Sequence, residues 1–260
     1  MELGIAGKCA LVTGGSHGIG LAAARELADE GCNVAICARD ESRLAEAVHG
    51  LKSRGVDAIG VAADVLVATD IERAMKAVID RWGTIHILVN NVGGGGRWGS
   101  PIVEDTAEDV WIDVYNKNAL AAVRFTKLAI PHMRKQRWGR VVAVASILGC
   151  EGGGRPWFNM AKSAEISMMK TLAMTPYLVR DGITFNTVAP GSIMIPGTAW
   201  EKESQADPEA FAEKVERDFP LGRLGTPEEV ASAIVFVCSD GARLLNGARI
   251  VVDGGESHAF

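Results

Sequence analysis

The fold of this 260-residue chain is decided by the stretch Lys8-Cys9-Ala10-Leu11-Val12-Thr13-Gly14-Gly15-Ser16-His17-Gly18-Ile19-Gly20. An apolar run that reads as a buried strand leads into a glycine-rich turn, and a helical pattern opens at residue 18. Glycines at 14, 18 and 20 permit a tight turn and a close approach of the backbone to a bound group. The free N–H groups and positive dipole of the helix start would face that group. The stretch therefore predicts a pyrophosphate-binding turn.

Short apolar runs alternate with helical patterns along the rest of the chain. The runs are rich in valine and isoleucine and apolar on both faces, which is typical of strands buried in a parallel sheet. Strands are predicted at 8–13, 33–38, 58–62, 85–90, 140–145, 184–188 and 249–252, and helices at 18–30, 41–54, 69–82, 106–135, 157–180 and 227–239. Right-handed strand-helix-strand crossovers build a doubly wound sheet. We expect one Rossmann-type α/β domain, residues 1–260, with about seven parallel strands between helices.

The stretch 193–220 interrupts this alternation. It carries prolines and charged helix formers between a predicted strand and the next core helix. Long insertions of this kind in compact domains are frequently functional. We expect a substrate lid there.

Composition narrows the classes of partner. The net charge is -5 and the pI is near 5.6, with no run of lysine and arginine, which argues against a nucleic-acid or membrane-surface footprint. No apolar stretch reaches the length of about 18 residues that a membrane span needs. The sequence favours a small-molecule partner, with no nucleic acid and no membrane.

The five cysteines, Cys9, Cys32, Cys37, Cys150 and Cys238, are scattered and odd in number. They show neither a disulfide pattern nor metal-ligand spacing, so we expect reduced thiols and no metal site. The chain runs from Met1 into an apolar strand without the pattern of a secretion signal. A cytoplasmic location is expected.

Several further motifs accompany the glycine-rich turn in a fixed order. They are Thr13-Gly14-x-x-x-Gly18-x-Gly20, Asp64, Asn90-Asn91-Val92-Gly93, Asn118, Ser146, Lys162, Asn186-x-x-x-Pro190-Gly191 and Asp253-Gly254-Gly255. Together they resemble the short-chain dehydrogenase/reductase family over nearly the whole chain. Within this family, the chain most resembles the 3-oxoacyl-carrier-protein reductases and related keto reductases. The resemblance implies hydride transfer between a nicotinamide and a carbonyl or alcohol, in a homo-oligomer, dimer or tetramer.

The resemblance also implies a set of cofactor-binding residues. Asp64 would accept a hydrogen bond from the adenine amino group, and Asn90 would lie beside the adenosine ribose. Pro190 and Gly191 would shape the loop against the nicotinamide, and Thr198 would bond the carboxamide or the phosphates. The complete set is Thr13, Gly14, Ser16, His17, Gly18, Ile19, Gly20, Arg39, Asp64, Val65, Asn90, Lys162, Pro190, Gly191 and Thr198.

The choice of cofactor depends on the residues after the second predicted strand. NAD-preferring proteins place an acidic residue there to hold the ribose 2′-hydroxyl, but this chain has Ala38 followed by Arg39. An arginine fork suits a 2′-phosphate, and His17 stands where NADP-dependent relatives often keep a basic residue. NADP(H) is therefore favoured over NAD(H). The alternative is that Arg39 is a solvated residue at the start of a helix.

The catalytic group departs from the family pattern. In the family a tyrosine exchanges the proton at the substrate oxygen, a lysine four residues later lowers its pKa, and a serine positions the carbonyl. An asparagine holds a water that completes the relay. This chain offers Asn118, Ser146 and Lys162 but has Phe158 at the tyrosine's place. A phenyl ring cannot exchange a proton, so slow or absent redox turnover is expected.

Several alternatives to this hypothesis stay open. Phe158 is either a natural departure or an engineered tyrosine replacement, and the flanking Trp157 and Met160 favour the former. The chain is a slow keto reductase, a non-redox enzyme such as an isomerase, dehydratase or cyclase, or a silent cofactor-binding subunit. The two tyrosines, Tyr115 and Tyr177, are interpreted as packing residues.

Three irregular segments, at 93–98, 150–157 and 193–220, are predicted to set substrate preference. Each contains a tryptophan, and the first two carry Arg97 and Arg155. One hypothesis is an apolar or aromatic anionic substrate between Trp98 and Trp157, with Arg97 or Arg155 on its charge. The alternative is that these arginines are solvated and the tryptophans seal subunit contacts. Glu151 in the second segment would be a substitute acid if it were buried, but a surface carboxylate is the favoured interpretation.

Overall fold

The computed structural model describes residues 2–259 and is built on one seven-stranded sheet. The strands are β1 (Cys9–Thr13), β2 (Asn33–Ala38), β3 (Ala58–Ala62), β4 (Ile87–Asn90), β5 (Gly139–Val144), β6 (Ile183–Pro190) and β7 (Arg249–Val252). Every neighbouring pair is parallel, in the order β3-β2-β1-β4-β5-β6-β7. The predicted Rossmann-type sheet is confirmed.

Helices cover both faces of this sheet. They are α1 (Gly18–Asp29), α2 (Glu41–Lys52), α3 (Ala68–Trp82), α4 (Glu108–Tyr115), α5 (Ala121–Gln136), α6 (Pro156–Ala173), α7 (Pro176–Val179), α8 (Ala199–Ala206), α9 (Pro208–Asp218) and α10 (Pro227–Cys238). The apolar sides of α1, α2 and α10 form one core cluster against the sheet, and those of α3, α5 and α6 form a second on the other face. The strand order reverses between β1 and β4, and in open α/β sheets such a reversal opens a crevice at the carboxyl ends.

The helix predicted at 106–135 is divided in the structure. Helix α4 ends at Tyr115, a π-helical turn covers Asn116–Leu120, and α5 continues from Ala121. The Asn118 side chain explains the break, because its amide donates hydrogen bonds to the carbonyls of Val114 at 2.7 Å and Gly94 at 2.9 Å. Single π-helical turns often mark functional sites.

The helix predicted at 157–180 also differs from the prediction. Helix α6 ends at Ala173, and Pro176 begins the short α7. Proline lacks the N–H that a continuous helix would need, and it disfavours helical geometry at the residue before it.

The stretch predicted as a lid, residues 193–220, contains α8 and α9. Trp200 contacts the rings of Phe211 and Phe219 edge to face, at 6.3 and 6.1 Å between centroids. A separate small apolar cluster holds this segment together, formed by Val215, Phe219 and Leu224 with Met194, Trp200 and Phe211. The segment therefore has its own packing beside the main core.

No helix within residues 2–259 combines the length and apolar character that a membrane span requires. The single domain predicted for residues 1–260 has its first and last residue outside the described part of the chain. All five cysteines are free thiols, four of them buried and Cys150 exposed.

Candidate active site

A cleft of about 1250 Å³ opens at the carboxyl ends of the strands. It exceeds the roughly 300–1,000 Å³ typical of small-molecule sites, so it has room for a long cofactor and a substrate together. The predicted site residues that line it are Gly14, Ser16, His17, Gly18, Ile19, Arg39, Asp64, Val65, Ser146, Phe158, Lys162, Pro190, Gly191 and Thr198. Thr13, Gly20, Asn90 and Asn118 are absent from this lining.

The glycine-rich turn presents an open helix end to the cleft. Gly14 and Gly18 have φ of 66° and 55°, in the left-handed region that favours glycine. His17 stands at the N-cap of α1 but makes no side-chain capping hydrogen bond, and its Nε2 lies 2.8 Å from the Pro196 carbonyl. The helix N–H groups are thus left for another acceptor. This end fits the pyrophosphate of a dinucleotide.

Thr13 and Gly20 support the turn from behind. The Thr13 hydroxyl accepts hydrogen bonds from the backbone N–H groups of Asn91 at 2.9 Å and Val92 at 3.0 Å. The Asn91 amide donates to the Thr13 carbonyl at 2.8 Å, and a Cβ on Gly20 would collide with that amide. These contacts fix the end of β1 to the end of β4.

Asn90 does not reach the cleft with its side chain. It is buried, and its amide donates to the Thr126 hydroxyl on α5 at 3.1 Å. The next residue, Asn91, lines the cleft instead.

Arg39 and Asp64 stand at the far end of the cleft. The Arg39 side chain is 68% exposed, and its Nη1 lies 3.9 Å from Asp64 Oδ2. Asp64 Oδ1 accepts from the backbone N–H of Leu66 at 3.0 Å. At this separation and exposure the ion pair is weak, so the guanidinium is available to an anionic ligand.

Lys162, Asn118 and Gly93 meet at the other end. A Cβ on Gly93 would lie 2.8 Å from Asn118 Oδ1 and 2.9 Å from Lys162 Nζ. The Lys162 ammonium donates to the Val144 carbonyl at 2.9 Å, and its side chain is only 4% exposed. The structure thus brings together two of the predicted catalytic residues from different helices.

Glu165 pairs with this lysine from one turn further along α6. Its Oε2 lies 2.8 Å from Lys162 Nζ, and its side chain is 0% exposed. Burial raises the pKa of the Glu165 carboxyl, and the adjacent Lys162 ammonium opposes that rise. A wholly buried carboxylate therefore accompanies the candidate catalytic lysine.

Phe158 lies in the cleft beside Lys162. Its ring lines the cleft, with its centroid 5.8 Å from Lys162 Nζ, and packs against Gly96. The Ser146 hydroxyl accepts from the backbone N–H of Leu148 at 3.2 Å and also faces the cleft. Neither of the chain's two tyrosines lines the cleft, because Tyr115 packs on a small apolar cluster and Tyr177 is exposed.

The loop after β6 closes the site. Glu256 accepts from the Ser192 N–H at 2.6 Å and the Ser192 hydroxyl at 2.8 Å. The Thr198 hydroxyl donates to the Ile195 carbonyl at 2.7 Å, at the start of α8. This loop joins the cleft to the predicted lid.

The hypothesis of a substrate held by Trp157 is wrong. Trp157 is fully buried, meets Trp111 edge to face at 5.2 Å and donates to the Gly95 carbonyl. Arg155 lies over the Trp157 ring and donates to the Ser100 carbonyl at 2.8 Å. Both therefore support the loop at 93–100 from below, and neither lines the cleft.

Trp98 and Arg97 do line the cleft. Lys117 Nζ lies 4.6 Å from the Trp98 ring centroid, and Arg97 lies 5.6 Å from that of Trp200. Glu151 lines the cleft too and accepts from the backbone N–H groups of His258 and Ala259. Its carboxylate anchors the C-terminal segment.

Sequence reasoning missed Lys117, Glu165 and Glu256. Lys117 directly precedes Asn118, and Glu165 lies three residues after Lys162, on the same side of α6. A carboxylate in the largely apolar stretch that follows Lys162 was the signal for Glu165. Glu256 follows the Asp253-Gly254-Gly255 motif, but nothing in its sequence context indicates its partner Ser192.

Comparisons with known proteins agree with this geometry. A family model described as "Enoyl-(Acyl carrier protein) reductase" matches residues 14–257. A putative ketoacyl reductase of Streptomyces coelicolor is 35% identical over 258 residues, covering 95% of this chain and 96% of its own. The 3-oxoacyl-[acyl-carrier-protein] reductase FabG of Staphylococcus aureus is 33% identical, with 95% and 97% covered.

A solved structure is similar over the entire length. The L-sorbose reductase of Gluconobacter frateurii, complexed with NADPH and L-sorbose, superimposes with a TM-score of 0.92 at 33% identity and covers 100% of both chains. Fold, cleft and relatives lead to one conclusion. The chain belongs to the short-chain dehydrogenase/reductase family of oxidoreductases.

Proposed function

We propose that this chain is an NADP(H)-dependent keto reductase of slow turnover, acting on a carbonyl or alcohol substrate. The observation that carries the proposal is the single cleft that joins the open glycine-rich turn to Ser146 and Lys162, with the Phe158 ring at the reacting end. The first half of the cleft is built to hold a dinucleotide. The second half has the positioning groups of a reductase without its acid.

Cofactor binding follows from the cleft's own groups. The uncapped start of α1 would hold the pyrophosphate, and Asp64 and Val65 would hold the adenine end. Lys162, Pro190 and Gly191 would hold the nicotinamide end. When bound, the nicotinamide supplies or removes the hydride.

The preference for NADP(H) over NAD(H) is supported by charge. Arg39 lines the adenine end with an exposed guanidinium, and Ala38 offers no carboxylate to hold a 2′-hydroxyl or repel a 2′-phosphate. The structurally similar L-sorbose reductase was solved with NADPH. A bidentate arginine contact to the 2′-phosphate is the interaction we expect.

The proton side of the reaction is impaired. Ser146 can orient a carbonyl oxygen, and Lys162 can hold the ribose, but Phe158 cannot donate a proton. A positioned acid contributes about 10²–10⁴-fold to such reactions. Water or the Ser146 hydroxyl is left as a weak source, which accounts for slow rather than absent turnover.

The substrate end is formed by Trp98, Trp200 and the cations Arg97 and Lys117. These groups suit a carbonyl compound that carries an apolar or aromatic part and an anionic group. Residues 193–220 would act as the lid over it. We further propose a cytoplasmic homo-oligomer, a dimer or tetramer paired through α4, α5 and α6.

Binding and turnover test the proposal separately. Titration with NADPH and with NADH, followed by protein fluorescence, should show tighter binding of NADPH. A panel of β-keto thioesters, ketoses and aromatic ketones should then give slow oxidation of NADPH with formation of the alcohol. Failure to bind either nucleotide would contradict the proposal. An Arg97→Ala variant should weaken binding of anionic substrates, whereas no loss would remove Arg97 from the substrate site.

A further inference from the structure

Glu165 is a buried ionisable group that the proposed reaction does not use. It lies on α6, one turn beyond Lys162, and is wholly shielded from solvent. One carboxylate oxygen lies 2.8 Å from the Lys162 ammonium as an ion pair, and no described group donates a hydrogen bond to either oxygen. Glu165 does not line the cleft. It can therefore influence the reacting end only through Lys162.

Stability does not explain this carboxylate. Desolvating two charges offsets most of their attraction, and a well-packed apolar pair at such a position is often equally stable or more stable. Yet Glu165 is in direct contact with a residue at the reacting end of the cleft. A function of the pair in the site is the simpler explanation.

We propose that Glu165 is a positioning residue that compensates the charge of Lys162, so that the reacting end of the cleft is electrically neutral. The inference rests on the proposed function. A lone ammonium beside Phe158 would favour an oxyanion at that place, whereas a compensated one does not. Loss of the phenol at 158 and presence of the carboxylate at 165 are thus two parts of one arrangement.

The pair also fixes how Lys162 is used. An ammonium has three N–H donors. One N–H of Lys162 is used by the Val144 carbonyl, and the Glu165 carboxylate forms an ion pair with the same ammonium at 2.8 Å. Glu165 thus orients the lysine as well as neutralising it.

The charges on neighbouring elements do not replace Glu165. The π-helical turn carries the cation Lys117. Its pKa is lowered mainly by burial, and also by the nearby charges of Arg39 and Lys162. Acidic residues on α4, namely Glu108, Asp109 and Asp113, are exposed. Arg140 on β5 pairs with Asp240 at the opposite end of the strand, and β6 and the turn Ile147–Gly149 contain no ionisable side chain.

A phenol introduced at residue 158 reports directly the electrostatic field of the Lys162–Glu165 pair. The pKa of the introduced phenol is measured by ultraviolet difference titration in Phe158→Tyr and in Phe158→Tyr with Glu165→Gln, each against its parent with phenylalanine. The compensated site should hold this pKa near the ordinary value of about 10. Removing the carboxylate should lower it by about one unit or more.

Two controls keep the result interpretable. Glu72→Gln removes an exposed carboxylate from α3 and should leave the phenol pKa unchanged. Should Glu165→Gln fail to fold, Lys162→Met with Glu165→Leu in the Phe158→Tyr chain removes the pair as a whole. Since a neutral pair exerts little net field, the phenol pKa should then match that of Phe158→Tyr alone.

Equal phenol pKa values with and without the Glu165 carboxylate would overturn the inference, as would a clear rise when the whole pair is removed. These readings do not depend on turnover. If no NADPH-linked reaction is found in any variant, the proposed function fails, while the phenol pKa still decides whether Glu165 compensates Lys162.

Discussion

Breaking the Lys162–Glu165 pair should destabilise the fold far more than replacing it. Lys162→Met leaves the Glu165 carboxylate buried without a partner, and loss of one member of a buried pair typically costs about 3–5 kcal/mol. Glu165→Leu should cost less, about 1–3 kcal/mol, because the Lys162 ammonium keeps its hydrogen bond to the Val144 carbonyl. The free energy of unfolding of the double variant should lie within about 1 kcal/mol of the parent's, or exceed it.

Urea unfolding of the four chains at one pH measures this cycle. The surface pair Lys76–Asp80 is a matched control, since its atoms lie 2.6 Å apart but its side chains are 74% and 60% exposed. Lys76→Met should therefore unfold at nearly the parent's urea concentration.

The destabilisation of Lys162→Met should shrink on acidification. Burial raises the folded-state pKa of Glu165, so the uncharged carboxyl is tolerated at low pH and destabilisation grows as pH rises. Single variants as stable as the parent would refute a buried ion pair.

Three further predictions concern other parts of the molecule. Arg39→Ala should raise the Kd for NADPH about tenfold and leave the Kd for NADH unchanged. Tenfold is the low end for a charge-assisted contact, because the Arg39 side chain is exposed. Equal changes in the two Kd values would exclude a contact between Arg39 and the 2′-phosphate. Burial lowers the pKa of His86 from 6.5 to about 4, so stability should fall as pH drops from 6.5 toward 4, by roughly 1–2 kcal/mol at pH 5. His86→Gln should flatten this dependence in urea titrations, and an unaltered slope would contradict it. Gly20→Ala forces a methyl group onto the Asn91 amide and should weaken NADPH binding at least tenfold, whereas Gly50→Ala on α2, with no atom near its Cβ, should not.

The sheet and its cleft were predictable from local patterns. Seven valine- and isoleucine-rich runs became seven parallel strands, and the five inner ones carry the clear apolar signature of strands buried on both faces. The glycine-rich turn was equally clear, since Gly14 and Gly18 adopt backbone angles that other residues rarely take.

Side-chain partnerships were harder to foresee. The break at Asn116–Leu120 depends on hydrogen bonds between Asn118 and Gly94, in a loop more than twenty residues away in sequence, which no helical periodicity records. Trp157 looked available because it follows an irregular, glycine-rich stretch, yet it lies in the first turn of α6 with its ring buried. The role of Glu165 could not be predicted from the sequence either, because that role depends on which face of α6 is buried.

Under the proposed function, this scaffold is a reductase that lacks only the phenol oxygen of its acid. NADPH consumption should be compared between the parent chain and Phe158→Tyr on the same panel of β-keto thioesters, ketoses and aromatic ketones. We predict that the phenol raises turnover by about 10²-fold, the low end of the range for an acid because Glu165 still compensates Lys162. A parent chain that is already as fast as Phe158→Tyr would contradict the account, since another group would then supply the proton.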